Sequence, residues 1–307
     1  MSKIQWQGVF PALLTPFTKD DKIDIPLFRK NLKAQLEAGV DGVILGGSLG
    51  EASTINYDEK QQLFICAREN SPENFPVVIN IAEQSTKDAV NLAQKAEAYG
   101  ADGLMLLPPM RYSADEDETL HFFQSVSSST SLPIMLYNNP VDYKIFITLE
   151  MLSTLAESKN IQAIKESTRD ITNITRMFNR FGNRYKIFTG VDTLSFESLC
   201  AGADGWVAGL VCAFPRETVA IYRLVKAGHI EEARKIYRWF MPLLELDIHP
   251  KLVQYIKLAE AQAGIGSENV RPPRLTLAGA EREQVLNTID TGIANRPELP
   301  EYLHLKS

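Results

Sequence analysis

Gly100-Ala101-Asp102-Gly103-Leu104-Met105-Leu106-Leu107 sets a glycine-bounded turn directly before an apolar run, and the same phrase stands at Gly39-Val40-Asp41-Gly42 and Gly202-Ala203-Asp204-Gly205. Each copy follows a stretch of helical periodicity. The first glycine suits a helix C-terminal cap with positive φ, and the second a tight entry into a strand. Working outward, eight short apolar runs are bounded by turn residues, at 9–14, 42–45, 76–81, 103–107, 133–137, 161–165, 185–189 and 205–209. Strands buried on both faces read as continuous apolar runs rather than alternating ones, as most of these do. Amphipathic stretches at 25–37, 58–68, 86–99, 116–128, 148–158 and 171–181 lie between them. Alternating helix and strand imply right-handed crossovers and a parallel sheet, and eight strands imply closure, so the predicted fold is α/β, a (β/α)8 TIM barrel. From residue 218 the strand signals stop and helical patterns follow at 218–227, 230–244, 251–263 and 275–288. The chain is therefore read as a barrel over 1–225 and a C-terminal helical extension over 226–307. Within the extension, residues 237–244, Tyr-Arg-Trp-Phe-Met-Pro-Leu-Leu, are too apolar for a solvated helix and read as packing on the barrel or as a subunit contact.

Composition narrows the functional classes. With 45% hydrophobic and 23% charged residues, the 307-residue chain has enough apolar material for a core without metals or disulfides. A net charge of −6 with no long basic run argues against nucleic acid or an anionic membrane as partner and favours a small molecule. Cys66, Cys200 and Cys212 lack the spacing of a zinc site or a redox pair and read as reduced thiols. His121, His229, His249 and His304 are scattered without ligand spacing, so no metal site is expected. No run approaches the roughly 18 apolar residues of a membrane span, and the first residues lack the apolar stretch of a signal peptide. The expected location is the cytoplasm.

In a parallel barrel the chemistry gathers at the C-terminal ends of the strands. The residues there are Gly46-Gly47-Ser48-Leu49-Gly50-Glu51, Tyr137-Asn138-Asn139-Pro140, Lys165-Glu166-Ser167-Thr168 and Gly190-Val191-Asp192. A lysine ending an apolar strand is partly desolvated, which favours the neutral amine that a Schiff-base nucleophile needs; the other reading is a salt bridge to Glu166 or Asp192. Tyr137 can carry protons beside it, or serve as a core aromatic whose hydroxyl caps a loop. The glycine-rich segment matches neither nucleotide fingerprint. It can instead offer closely spaced N–H groups to a carboxylate, with the Ser48 hydroxyl alongside.

At these residues the chain resembles the dihydrodipicolinate synthase and N-acetylneuraminate lyase superfamily of lysine-dependent barrels. The likeness runs through Gly8-Val9-Phe10-Pro11-Ala12, Thr15-Pro16-Phe17, Gly47-Ser48-Leu49-Gly50-Glu51, Tyr137-Asn138-Asn139-Pro140, Ile164-Lys165-Glu166-Ser167 and Gly190-Val191-Asp192. It implies Lys165 as the Schiff-base lysine, Tyr137 as proton shuttle, Ser48 and Leu49 as the carboxylate cradle, Val207 on the floor, and a homotetramer built as a dimer of dimers. The candidate set is thus catalytic Lys165, Tyr137 and Ser48, with Gly47, Leu49, Arg111, Asn139, Ser167, Gly190, Asp192 and Val207 contacting substrate; no cofactor is called for. Against the synthase itself the chain departs at Ser48 and Leu49, where two threonines are typical, at Arg111 in place of a tyrosine, and at Asp142 in place of an arginine. The segments 107–113, 237–244 and 271–275 instead resemble a subgroup containing the Δ1-pyrroline-4-hydroxy-2-carboxylate deaminases of hydroxyproline breakdown. The resemblance implies a lyase or deaminase acting on a small 2-oxo acid or its cyclic imine. The alternatives are a 2-keto-3-deoxy sugar acid dehydratase or aldolase, the synthase, and a catalytically silent binding barrel.

Overall fold

In the computed structural model, which describes residues 4–109 and 112–305, the three glycine phrases close their helices as their spacing predicts. Gly39, Gly100 and Gly202 adopt φ of 85°, 89° and 106°, the left-handed conformation that ends a helix without a Cβ clash. The aspartate inside the phrase has a role that its sequence did not announce. Asp41, Asp102 and Asp204 accept the backbone N–H of Val9, Val77 and Ile187 at 2.8, 2.9 and 2.9 Å. They also pair with Arg223, Arg68 and Lys186 respectively. Each carboxylate thereby latches the start of one strand to the strand before it. The second glycine supplies room rather than a turn: a Cβ on Gly205 would lie 2.3 Å from the Phe188 ring, and one on Gly42 would lie 2.4 Å from the Phe10 ring. Those two rings meet edge to face at 5.5 Å and fill the end of the barrel away from the strand C-termini.

The strands are β1 (Gly8–Pro11), β2 (Val43–Leu45), β3 (Val77–Ile81), β4 (Gly103–Leu106), β5 (Ile134–Asn138), β6 (Ile161–Glu166), β7 (Lys186–Thr189) and β8 (Gly205–Ala208). Their hydrogen-bonded order is β1-β8-β7-β6-β5-β4-β3-β2, every pairing parallel. A parallel bridge between Ala12 and Ile44, with the Leu13 N–H donating to Ile44 O at 3.0 Å, brings β1 to β2 and closes the (β/α)8 ring. All five residues of β3 and of β5 are buried, as continuous apolar runs require.

The helix expected from 218 begins earlier, at Pro215, and runs Pro215–Lys226; a proline lacks the N–H that a first turn would leave unpaired, so it is at home there. Helices Ile230–Leu244, Leu252–Gln262 and Gly279–Ala294 follow. The last starts later than the expected 275, because residues 275–278 lie outside any helix on leaving the Pro272-Pro273 pair. The apolar segment 237–244 packs within the chain. Phe240 stacks on Trp239 and meets Phe214 edge-on at 5.6 Å, while Trp239 Nε1 donates to Gly292 O at 3.0 Å. Short elements that escape any periodicity include a one-turn helix Pro140–Tyr143 after β5 and a 3-10 turn Glu245–Ile248. Among the described residues, no helix is long and apolar enough to cross a membrane.

Candidate active site

Lys165 and Tyr137 stand directly opposite each other in the β5–β6 register. Both side chains line a cavity of about 90 Å³ at the C-terminal mouth of the barrel. The Lys165 Nζ lies 3.9 Å from the centroid of the Tyr137 ring, near enough for the ring face to stabilise a cation there. Burial pushes the Lys165 amine below the ordinary lysine range, opposed by the acidic groups Tyr143, Asp247, Asp192 and Asp142 around it. Neither salt bridge considered for Lys165 forms. Glu166 turns away to accept from Thr168 N–H at 2.7 Å, Asn173 Nδ2 at 2.8 Å and Asn138 Nδ2 at 3.2 Å. Asp192 is taken up by Trp206 Nε1 at 2.9 Å, Leu210 N–H at 2.8 Å and Gly209 N–H at 3.1 Å. That carboxylate ties the loop after β7 to the end of β8 and leaves the amine free for the cavity.

Tyr137 accepts a hydrogen bond from Asn139 Nδ2 at 3.2 Å. Burial raises its phenol to about 12, against the pull of that hydrogen bond and of the nearby Ser167 hydroxyl. Ser167 Oγ is buried with no hydrogen-bond partner of normal geometry among the described residues. The approach of Gly190 is equally tight: a Cβ there would fall 2.2 Å from Ser167 Oγ and 2.6 Å from Lys165 Cε. Ser167 and Gly190 therefore both belong to the wall that holds the lysine stem.

Ser48 and Leu49 reach the same cavity from the turn after β2, with Val207 of β8 and Met105 of β4 on its inner wall. The backbone N–H groups of Ser48 and Leu49 have no acceptor among the described residues, which leaves both able to bind an anionic oxygen. Gly47 sits just behind them, where a Cβ would meet Met105 Cε at an ordinary 3.8 Å, so it is placed beside the cavity rather than in it. The turn ends on Glu51, a non-glycine residue with φ of 57° and a fully buried carboxylate. Lys257 Nζ donates to that carboxylate at 2.5 Å and the Arg271 N–H at 3.1 Å. Arg271 in turn forks onto Glu59 at 2.8 and 2.9 Å and reaches Asp21 at 2.8 Å. A helix and a loop of the C-terminal extension thus strap this turn in place.

Asn139, Ser167, Gly190 and Val207 line the cavity, Asp192 stands buried behind it, and Arg111 lies outside the described residues. Three lining residues were missed as site residues or noted only as departures: Tyr143, Asp142 and Asp247. Tyr143 shares a short hydrogen bond with Ser48 Oγ. Asp142 accepts from Asn139 Nδ2 at 2.7 Å. Asp247 comes from the 3-10 turn of the C-terminal extension, and burial raises its carboxyl well above the usual range. Tyr143 had a signal, a second tyrosine shortly after Asn139-Pro140. Asp247 had none, since only the fold brings it to the barrel mouth.

Comparison with known proteins agrees with this geometry. Residues 5–291 match the model of the dihydrodipicolinate synthetase family. The 4-hydroxy-tetrahydrodipicolinate synthase of Geotalea uraniireducens is 30% identical over 285 residues, covering 92% of this chain and 97% of that protein. The solved 4-hydroxy-tetrahydrodipicolinate synthase of Methylacidiphilum fumariolicum superposes with a TM-score of 0.89 at 29% identity, over 94% of this chain and 96% of that one. A sialic acid aldolase of Ruminococcus gnavus, at 22% identity and a TM-score of 0.87 over 94% of this chain and 96% of its own, shares the fold. With a strand-end lysine facing a tyrosine across the mouth of a closed parallel barrel, and a family match over nearly its whole length, the chain belongs to the dihydrodipicolinate synthetase family of lyases.

Proposed function

We propose that the chain is a Schiff-base deaminase converting Δ1-pyrroline-4-hydroxy-2-carboxylate and water to 2,5-dioxopentanoate and ammonia, as a step of hydroxyproline breakdown. The observation that carries this reading is the acidic outer wall of the cavity. Asp142 and Asp247 line it where an arginine for a second carboxylate would be expected, and among the described residues the one lining cation besides Lys165 is the exposed Arg169. Such a wall suits a substrate whose far end becomes an ammonium rather than one ending in a carboxylate.

In this reading the neutral Lys165 amine attacks C2 of the cyclic imine while the substrate carboxylate rests on the Ser48 and Leu49 amides. The ring C2–N bond breaks, and its nitrogen, taking up protons from the Asp247 carboxyl and from solvent, leaves as a primary ammonium on C5 held by Asp142 and Asp247. Loss of a C3 proton beside Tyr137 gives the enamine, whose electron pair expels the C4 hydroxyl as water. Tautomerisation makes an imine at C5, and two waters then release ammonia from C5 and the product from Lys165. The Tyr137 ring face against Nζ favours the cationic iminium.

The second reading is 4-hydroxy-tetrahydrodipicolinate synthesis, favoured by the names of the relatives above. One panel separates them: ammonia release from the pyrroline, consumption of aspartate semialdehyde with pyruvate, and dehydration or cleavage of a 2-keto-3-deoxy sugar acid. The proposal expects turnover in the first arm alone. Turnover confined to the second or third arm overturns it. The homotetramer implied by the resemblance is part of the same proposal and is tested by sedimentation velocity.

A further inference from the structure

The Ser48 hydroxyl meets a second phenol of its own chain. Tyr143 OH and Ser48 Oγ form a short hydrogen bond, and the Tyr143 ring stands edge-on to Tyr137, centroids 5.4 Å apart at 84°. Both phenols and Lys165 line one cavity, whereas Ser48 is exposed to solvent. The turn that carries Tyr143 is pinned at each end. Asn139 Oδ1 accepts from Asp142 N–H at 3.3 Å, its carbonyl accepts from Tyr143 N–H at 3.0 Å, and Lys144 closes the turn with φ of 63°. The same Asn139 side chain donates to Tyr137 at 3.2 Å, so one residue sets both phenols.

We propose that Tyr143 is a catalytic acid–base residue of this site, relaying the C3 proton of the Lys165-bound substrate through Ser48 to solvent. The C3–H pair moves into the C2–C3 bond and quenches the iminium; the Tyr143 oxygen takes the proton as its own passes to Ser48 Oγ, and the serine proton passes to water. The net change is iminium to neutral enamine with one proton delivered to solvent. Burial drives the Tyr143 phenol above its ordinary range, so it works as a neutral relay rather than as a standing phenolate. The path lies within one chain. It rests on Lys165 as the Schiff-base lysine, but not on the identity of the natural substrate.

The test uses the full-length protein with pyruvate as probe, following loss of the methyl signal by proton NMR in deuterium oxide. Borohydride trapping with intact mass runs in parallel. Tyr143→Phe keeps the ring and is expected to give the wild-type yield of trapped adduct while slowing methyl exchange by about 10²-fold, the lower end of general acid–base contributions. Ser48→Ala breaks the same link from its outer side, and the double variant is expected to be no slower than the slower single one, since a broken relay is broken once. Wild-type exchange in Tyr143→Phe, or losses that multiply in the double variant, overturn the relay. Absence of any trapped adduct on the wild-type protein overturns the Schiff-base reading and the relay with it.

Discussion

Gly190→Ala is expected to disable Lys165 without replacing a reacting group. The glycine follows β7, and its N–H donates to Glu166 O at 2.9 Å, so its backbone is fixed against β6. An added Cβ would stand 2.6 Å from Lys165 Cε, 2.7 Å from its Cγ and 2.2 Å from Ser167 Oγ. Carbon atoms pack no closer than about 3.5 Å, so the lysine stem has to retreat by about 1 Å. Because Cγ is met as well as Cε, swinging the amine end alone does not relieve the contact. A displacement of that size costs on the order of 10²-fold in rate, and overpacking costs about 1–3 kcal/mol of stability. The assay is the rate at which borohydride traps a pyruvate adduct by intact mass, with a thermal melt of the same sample. A folded variant that traps pyruvate at the wild-type rate would refute the placement of Gly190 against the lysine stem.

Three further outcomes follow from the buried charges. Lys257→Met leaves the Glu51 carboxylate buried without its ammonium and is expected to cost about 3 kcal/mol, read as a lower urea midpoint; an unchanged midpoint would show that the Arg271 and Arg274 contacts suffice. Burial raises Glu260 to about 8 from an unfolded value near 4.5, so the native state holds a proton that the unfolded chain loses first. Its stabilising effect is full below pH 4.5 and fades as pH rises towards 8. Glu260→Gln keeps the acceptor for Asn31 Nδ2, at 2.7 Å in the native protein, and should gain stability relative to wild type across that interval; a pH-independent difference would contradict this. Since burial lowers the Lys165 amine, the rate of pyruvate adduct formation should reach its alkaline plateau below the ordinary lysine value of about 10.4. A plateau reached only above that value would mean an unperturbed lysine.

Much of the barrel could be read from the chain because its signals are local. The positive-φ glycines cap helices whose apolar periodicity is visible beside them, and strands buried on both faces stand out as uninterrupted apolar runs. Lys165 and Tyr137 could be picked for the same reason, since each ends such a run. What was not legible depends on residues brought together from far apart. The aspartates of the glycine phrases look like turn residues until their carboxylates are seen holding the preceding strand. Glu51 reads as a loop acid, yet its partners lie more than two hundred positions away in a helix and a loop of the extension. Asp247 sits in a turn too short to have periodicity, and only closure of the extension over the barrel carries it to the cavity. Tyr143 is intermediate, close to Tyr137 in sequence but aimed by a turn whose geometry depends on the Asn139 cap.

The most direct test of the central claim is peptide mapping after borohydride reduction of the protein with Δ1-pyrroline-4-hydroxy-2-carboxylate, with ammonia measured in an unreduced portion of the same sample. The account predicts one modified peptide, carrying the substrate skeleton on Lys165, together with ammonia release that Lys165→Ala abolishes. Ammonia release with Lys165 unmodified, or an adduct on Lys165 without ammonia, would contradict it.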